Sequence, residues 1–272
     1  MLPDQTQKSA ASVNAIAAQD YKDISFESLP TKFPTRSAVK LDIELSQIRI
    51  AVSQGYPSIQ LEPLKDGWID IVGYGPSLKH TWDQVRNPCI TVSGAHDFLI
   101  ERGTVPKYHA ECDGRSHKPN HLQKPHKDVT YLMATVCHPR TWELLDGFNV
   151  VTWHNANGMH VVEWIGENDP DKIMVAGGSV VGMSAIHLAG ILGYRKFRLF
   201  GMDCNFDGDD RHAGTHYGPP QRIVERSVNG RVFKTTPQMC NSADELGFLI
   251  KRATEIEIEI VGDSMLKAMY GA

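Results

Sequence analysis

The stretch Trp68-Ile69-Asp70-Ile71-Val72-Gly73-Tyr74-Gly75-Pro76-Ser77-Leu78 decides how the rest of the sequence is read. Its first five residues make a short apolar run that halts at glycine, as a buried strand does. The two glycines permit a tight turn, and Pro76 suits the first turn of a helix. Such a turn lets the backbone approach a phosphate, and a helix N-terminus offers N–H groups and positive potential to an anion. A plain strand-to-helix connection has the same residues. The pattern is not the dinucleotide fingerprint, because Leu78 stands at the third glycine position, and no Gly-Lys-Ser/Thr follows to make a P-loop.

Outward from this unit, strands and helices alternate. Strands are expected over residues 89–93, 108–112, 129–135, 149–153, 196–200 and 256–261, and helices over 97–102, 139–145, 180–192 and 244–254. Residues 37–54 alternate in part, but Leu41, Leu45 and Ile48 share a helical face, and a helix is predicted there. Residues 114–127 and 207–222 read as polar loops. This alternation predicts an α/β domain with a largely parallel sheet covered by helices on both faces. Residues 1–35 are rich in Ser, Gln, Asp, Thr and Pro and read as a flexible N-terminal arm ahead of one domain, 36–272.

Composition narrows the class. The 272 residues are 41% hydrophobic and 22% charged, with a formal net charge of −4, an ordinary globular mix that lacks the basic excess of a general nucleic-acid binder. Five cysteines in no paired pattern point to a reducing, cytoplasmic setting. No apolar run approaches a membrane span, and no targeting segment is expected.

Several residues could carry chemistry. Gly177-Gly178-Ser179-Val180 opens the helix at 180–192 with exposed amides and a hydroxyl, a second anion-binding candidate. Asp203 lies just past a strand's carboxyl end, the edge where open parallel sheets bind ligands. It could hold a metal–phosphate or accept a proton. His212 and His216 follow it, and imidazole titrates near neutral pH. The run 203–210 imitates a calcium loop, but its twelfth position is Gly214 rather than Glu. Asp113-Gly114 is either a turn or a carboxylate for Mg²⁺ on a polyphosphate. His109, Cys112, His117, His121 and His126 lack a zinc pattern; with Arg115, Lys118, Lys124 and Lys127 they suit a basic lid over an anionic substrate. His80, His154, His160 and His187 read as structural, and Cys137 lacks a base partner.

The ordered set Val72 to Leu78, Asp113, Gly177 to Val180, Leu192-Gly193-Tyr194-Arg195-Lys196-Phe197-Arg198-Leu199-Phe200-Gly201-Met202-Asp203 and His212 resembles the 6-hydroxymethylpterin diphosphokinase-like domain, a group that includes motility-accessory-factor glycosyltransferases. The Gly-Pro-Ser-Leu turn and the Leu-Gly-Tyr…Gly-Met-Asp element are also similar to bacterial sialyltransferases that use CMP-sugars. The resemblance spans residues 65–220. It implies a Rossmann-like fold and a nucleotide-dependent transferase, with the nucleotide at the first glycine turn, Gly73, Gly75, Pro76, Ser77 and Leu78; the second cluster, Gly177, Gly178, Ser179 and Val180, is the further nucleotide contact expected from its helix N-terminus. The pterin branch implies ATP, Mg²⁺ with Asp113 as a ligand, and pyrophosphoryl transfer; Asp203 is the second metal-ligand candidate by its place past a strand end. The glycosyltransferase branch implies a nucleotide-sugar, a small-molecule or glycan acceptor, and a base among Asp203, His212 and His216. A non-catalytic nucleotide-binding module that assembles as a homo-oligomer is the remaining alternative. Gly114-Arg115-Ser116 stands where the pterin kinases carry a second acidic residue.

Overall fold

A computed structural model describes residues 38–156, 158–175, 178–215, 217–253 and 255–271. The arm at 1–35, Gly177 and His216 lie outside the described residues. Eight strands form one parallel sheet: β1 (Trp68–Val72), β2 (Cys89–Val92), β3 (Tyr108–Glu111), β4 (Thr130–Ala134), β5 (Asn149–Asn155), β6 (Met174–Val175), β7 (Lys196–Phe200) and β10 (Glu257–Ile260). Their order is β10-β7-β1-β2-β3-β4-β5-β6, and every neighbouring pair is parallel. The chain lays down β1 to β6 in one direction, then returns to the other side of β1. The strand order therefore reverses between β1 and β7, the place where such folds open a crevice at the carboxyl ends.

The central strands are buried along almost their whole length, which needs helices on both sheet faces. Along the chain these are α1 (Leu41–Ser53), α2 (Leu78–Thr81), α3 (Ala95–Ile100), α4 (Pro139–Leu144), α5 (Met159–Asn168), α6 (Val181–Ile191), α7 (Pro237–Arg252) and α8 (Met265–Tyr270). In α6 every residue from Gly182 to Ile191 is buried. That explains an apolar sequence with no polar stripe. Thr236 caps α7 by accepting from the Met239 amide at 3.1 Å, and Pro237 occupies the first turn. This cap starts the helix seven residues before the expected 244.

One charge interrupts β1. Asp70 is 1% exposed, and its register partner on β7 is Arg198, whose Nε and Nη2 donate to its two oxygens at 2.8 and 2.9 Å. The Arg86 amide adds a third bond at 2.6 Å. The elements not expected from the sequence are α5, β6, α8 and a hairpin. Residues Val224–Val228 (β8) and Arg231–Thr235 (β9) form an antiparallel hairpin within the stretch after the polar loop. Its turn, Asn229-Gly230, has φ of 48° and 78°, the left-handed pair that suits a two-residue hairpin. The loop at 114–127 also contains a short 3₁₀ turn, Lys118–His121. No described helix is long and apolar enough to cross a membrane.

Candidate functional site

At the crevice the turns after β1 and β7 interlock. The Gly73 amide donates to Phe200 O at 2.7 Å, and the Gly75 amide to Gly201 O at 2.7 Å. Neither glycine has room for a side chain. A Cβ on Gly73 would lie 2.5 Å from Gly201 O, and one on Gly75 would lie 2.5 Å from Asp203 Oδ2. Asp203 completes the lock, accepting from the Ser77 amide at 2.8 Å and the Ser77 hydroxyl at 2.5 Å. The amides of Gly73, Gly75 and Ser77 therefore serve the protein itself, contrary to the expectation of bare amides there. The second turn behaves alike. The Ser179 amide donates to Glu245 at 3.0 Å, and its hydroxyl donates to the same carboxylate at 2.6 Å. The first amides of α6, at Val181 and Gly182, have no intrahelical acceptor.

Both glycine turns nonetheless border one cavity of about 290 Å³. Among the expected residues, Gly73, Gly75, Gly178, Ser179, Val180, Asp113, Asp203 and His212 line it. Pro76, Ser77 and Leu78 do not; Ser77 and Leu78 are buried behind the turn. Tyr74 stacks on His212 with ring centroids 5.6 Å apart, and His212 Nδ1 donates to Tyr74 O at 3.3 Å. Since a carbonyl only accepts, Nδ1 carries a proton in that bond.

A charged wall forms the middle of the cavity. Arg115 grips Asp113 through Nε at 3.0 Å and Nη2 at 2.5 Å, and Lys118 lies 3.5 Å from Glu111 and 3.7 Å from Asp113. Burial pushes the Asp113 carboxyl up, but Arg115 and Lys118 overcome this and hold it below the usual value. Burial raises Glu111, against the pull of Lys118. Asp113 is thus an ion-pair partner, and Asp203 is committed to Ser77. Among the described residues no group of three His, Cys, Asp or Glu side chains is placed to hold a metal ion. This donor set does not fit the expected Mg²⁺ site on Asp113 and Asp203. Lys124 and Lys127 lie outside the wall, donating to Glu101 and to Gly147 O.

Arg211 was not anticipated. Its Nη2 donates to Gln221 at 2.9 Å, its Nε is buried with no hydrogen-bond partner, and among the described residues it has no carboxylate partner. Burial and then the Arg115 charge depress its affinity for its proton. The positive charge of Arg115 therefore disfavours that of Arg211, which a bound anion would relieve. No sequence signal marks it beyond its place between Asp210 and His212.

Burial pushes the Asp203 carboxyl up from 3.8 to about 6, against its Ser77 bonds. Between those values the folded protein holds a proton that the unfolded chain has released. Stability therefore falls as pH rises from about 4 to about 6 and levels off above, by on the order of 3 kcal/mol from this group. Urea midpoints from pH 4 to 8 should show the parent losing that amount relative to Asp203→Asn, which keeps an acceptor for Ser77. A pH-independent difference would show that the carboxyl titrates normally.

The sequence pattern of the 6-hydroxymethylpterin diphosphokinase MptE-like family matches residues 59–209. The fold is similar to that of the Maf glycosyltransferase from Magnetospirillum magneticum AMB-1, at 18% identity and a TM-score of 0.59, over 85% of this chain and 41% of that one. This chain thus spans less than half the length of that protein. Two further matches are a mammalian sialyltransferase (10% identity, 84% of this chain, 89% of that chain, TM-score 0.45) and the Campylobacter jejuni sialyltransferase CstII in complex with a substrate analogue, cytidine-5'-monophosphate (16%, 74%, 82%, 0.38). No curated protein matches. Since the matched segment covers more than half of its residues, the chain belongs to the 6-hydroxymethylpterin diphosphokinase MptE-like family.

Proposed function

We propose that the chain is a nucleotide-dependent transferase whose cavity binds the phosphate of an activated donor, and that the transferred group is a glycosyl unit. The observation that carries this reading is Arg211, a half-buried guanidinium in the cavity wall with no carboxylate partner among the described residues. Supporting it are the open amides at the start of α6 and the position of the cavity where the strand order reverses. Pyrophosphoryl transfer from ATP concentrates more negative charge, which kinases usually offset with Mg²⁺ held by free carboxylates. Here the carboxylates are tied to Arg115, Lys118 and Ser77. A glycosyl donor leaves as a nucleotide whose charge Arg115 and Arg211 can stabilise as it develops. His212 takes the proton of the acceptor hydroxyl. Asp203 holds the turn in place.

Thermal-shift and calorimetric titration against CMP, UDP, GDP and ATP tests the reading. A nucleotide that binds the folded state stabilises it by about 3–4 kcal/mol at roughly 100 to 1,000 times its dissociation constant. Arg211→Met should weaken nucleotide binding by about tenfold or more, with an unchanged or higher urea midpoint, because charge-assisted bonds to phosphate are worth about 1.5–3 kcal/mol. Equal affinity in parent and variant would remove Arg211 from the site.

A further inference from the structure

Asn155 closes β5 and borders the same cavity. Its side chain belongs to a residue only 6% exposed, and its Oδ1 is buried with no hydrogen-bond partner among the described residues. Buried amide oxygens nearly always have a donor, so an unmatched one in a cavity wall points to a group absent from the protein itself. The neighbouring strand ends set its surroundings. β3, β4 and β5 are adjacent, and the cavity floor beyond them is Cys112, Val136 and Asn155 in turn. Val180 and Met183, from the start of α6, line the same cavity. Asp203 lies at the end of β7, five strand positions away, on the order of 20 Å along the sheet edge. The cavity is thus graded: one end at Tyr74 and His212 beside the Asp203–Ser77 lock, a cationic middle, and a more apolar end holding one amide.

We infer that Asn155 reads the hydrogen-bonding edge of the donor's heterocyclic base, which packs among Val136, Val180 and Met183. This rests on the nucleotide reading above. An asparagine amide presents one acceptor and a pair of donor hydrogens side by side, and so can make two bonds to a base that offers an N–H next to a ring nitrogen or carbonyl. The apolar neighbours suit the base's flat faces. The phosphate then falls toward Arg115 and Arg211, and the transferred group toward His212.

The test compares four nucleoside monophosphates (AMP, CMP, GMP and UMP) with ribose 5-phosphate, which keeps sugar and phosphate but has no base. In the parent, the preferred nucleotide should bind at least tenfold more tightly than ribose 5-phosphate. In Asn155→Leu that advantage should shrink to about twofold, and discrimination among the four bases should fall with it. Affinity for ribose 5-phosphate should stay the same, and Asn155→Ala should behave likewise if the leucine variant folds poorly. An undiminished base preference in both variants would overturn the inference and leave the phosphate site standing. If nucleotides bind the parent no better than ribose 5-phosphate, the base subsite is likewise disproved. If neither nucleotides nor ribose 5-phosphate bind the parent, the nucleotide reading itself fails, and this inference with it.

Discussion

Gly75→Val is expected to destabilise the fold by about 4 kcal/mol or more, enough to leave little native protein at 37 °C. A side chain there would meet Asp203 Oδ2 at 2.5 Å and Gly201 O at 2.6 Å. Neither atom can retreat cheaply. Gly201 O accepts the Gly75 amide, and Asp203 accepts two bonds from Ser77. The variant must part the turns after β1 and β7, which combines overpacking with the loss of these bonds. Gly166→Ala, in α5, has nothing within 4 Å of the added methyl. It should stabilise by about 0.5–1 kcal/mol through helix propensity. Urea denaturation of the pair reads both signs at once; a Gly75→Val midpoint equal to the parent's would disprove the interlock. Because folding fails first, lost nucleotide binding in this variant would say nothing about binding.

Asp70→Ala should cost about 3–5 kcal/mol. Arg198 is 24% exposed at its side chain and Asp70 1%. Removing the acid leaves a guanidinium and the Arg86 amide facing a low-dielectric gap between two central strands. A double-mutant cycle with Arg198→Ala separates the pair from the packing. The double variant should be much less unstable than the sum of the single ones, with about 1–3 kcal/mol of coupling. A loss under about 1 kcal/mol for Asp70→Ala, or strict additivity, would show that the pair contributes nothing specific.

The parts of the fold that could be read in advance were those governed by local rules. Trp68–Val72 and Lys196–Phe200 are strands over the expected residues, since an apolar run bounded by glycine admits little else. The hairpin at 224–235 carried a legible signal as well: alternating residues around Asn229-Gly230. Its polar, exposed strands masked the alternation. At the site, Asp203, Asp113 and the first glycine turn could be placed because they follow strand ends, and topology brings strand ends together. The hydrogen bonds of Asp203 to Ser77 span 126 residues, and those of Glu245 to Ser179 span 66. No local pattern foretells that an acid will occupy a turn's amide. Arg211 and Asn155 were missed for a related reason. Their interest lies in one unmatched buried atom each, Nε and Oδ1, a property of the folded surroundings rather than of residue type.

The strand order also settles how the sheet's two borders meet solvent. An open border offers unpaired backbone groups to any passing chain, the usual start of aggregation. On one side the last strand is β6, only Met174–Val175, too short to template a long ladder. On the other, β10 exposes Glu257 and Glu259. Two copies stacking there would bring like charges face to face. Each border thus carries a feature that opposes edge-to-edge pairing of copies.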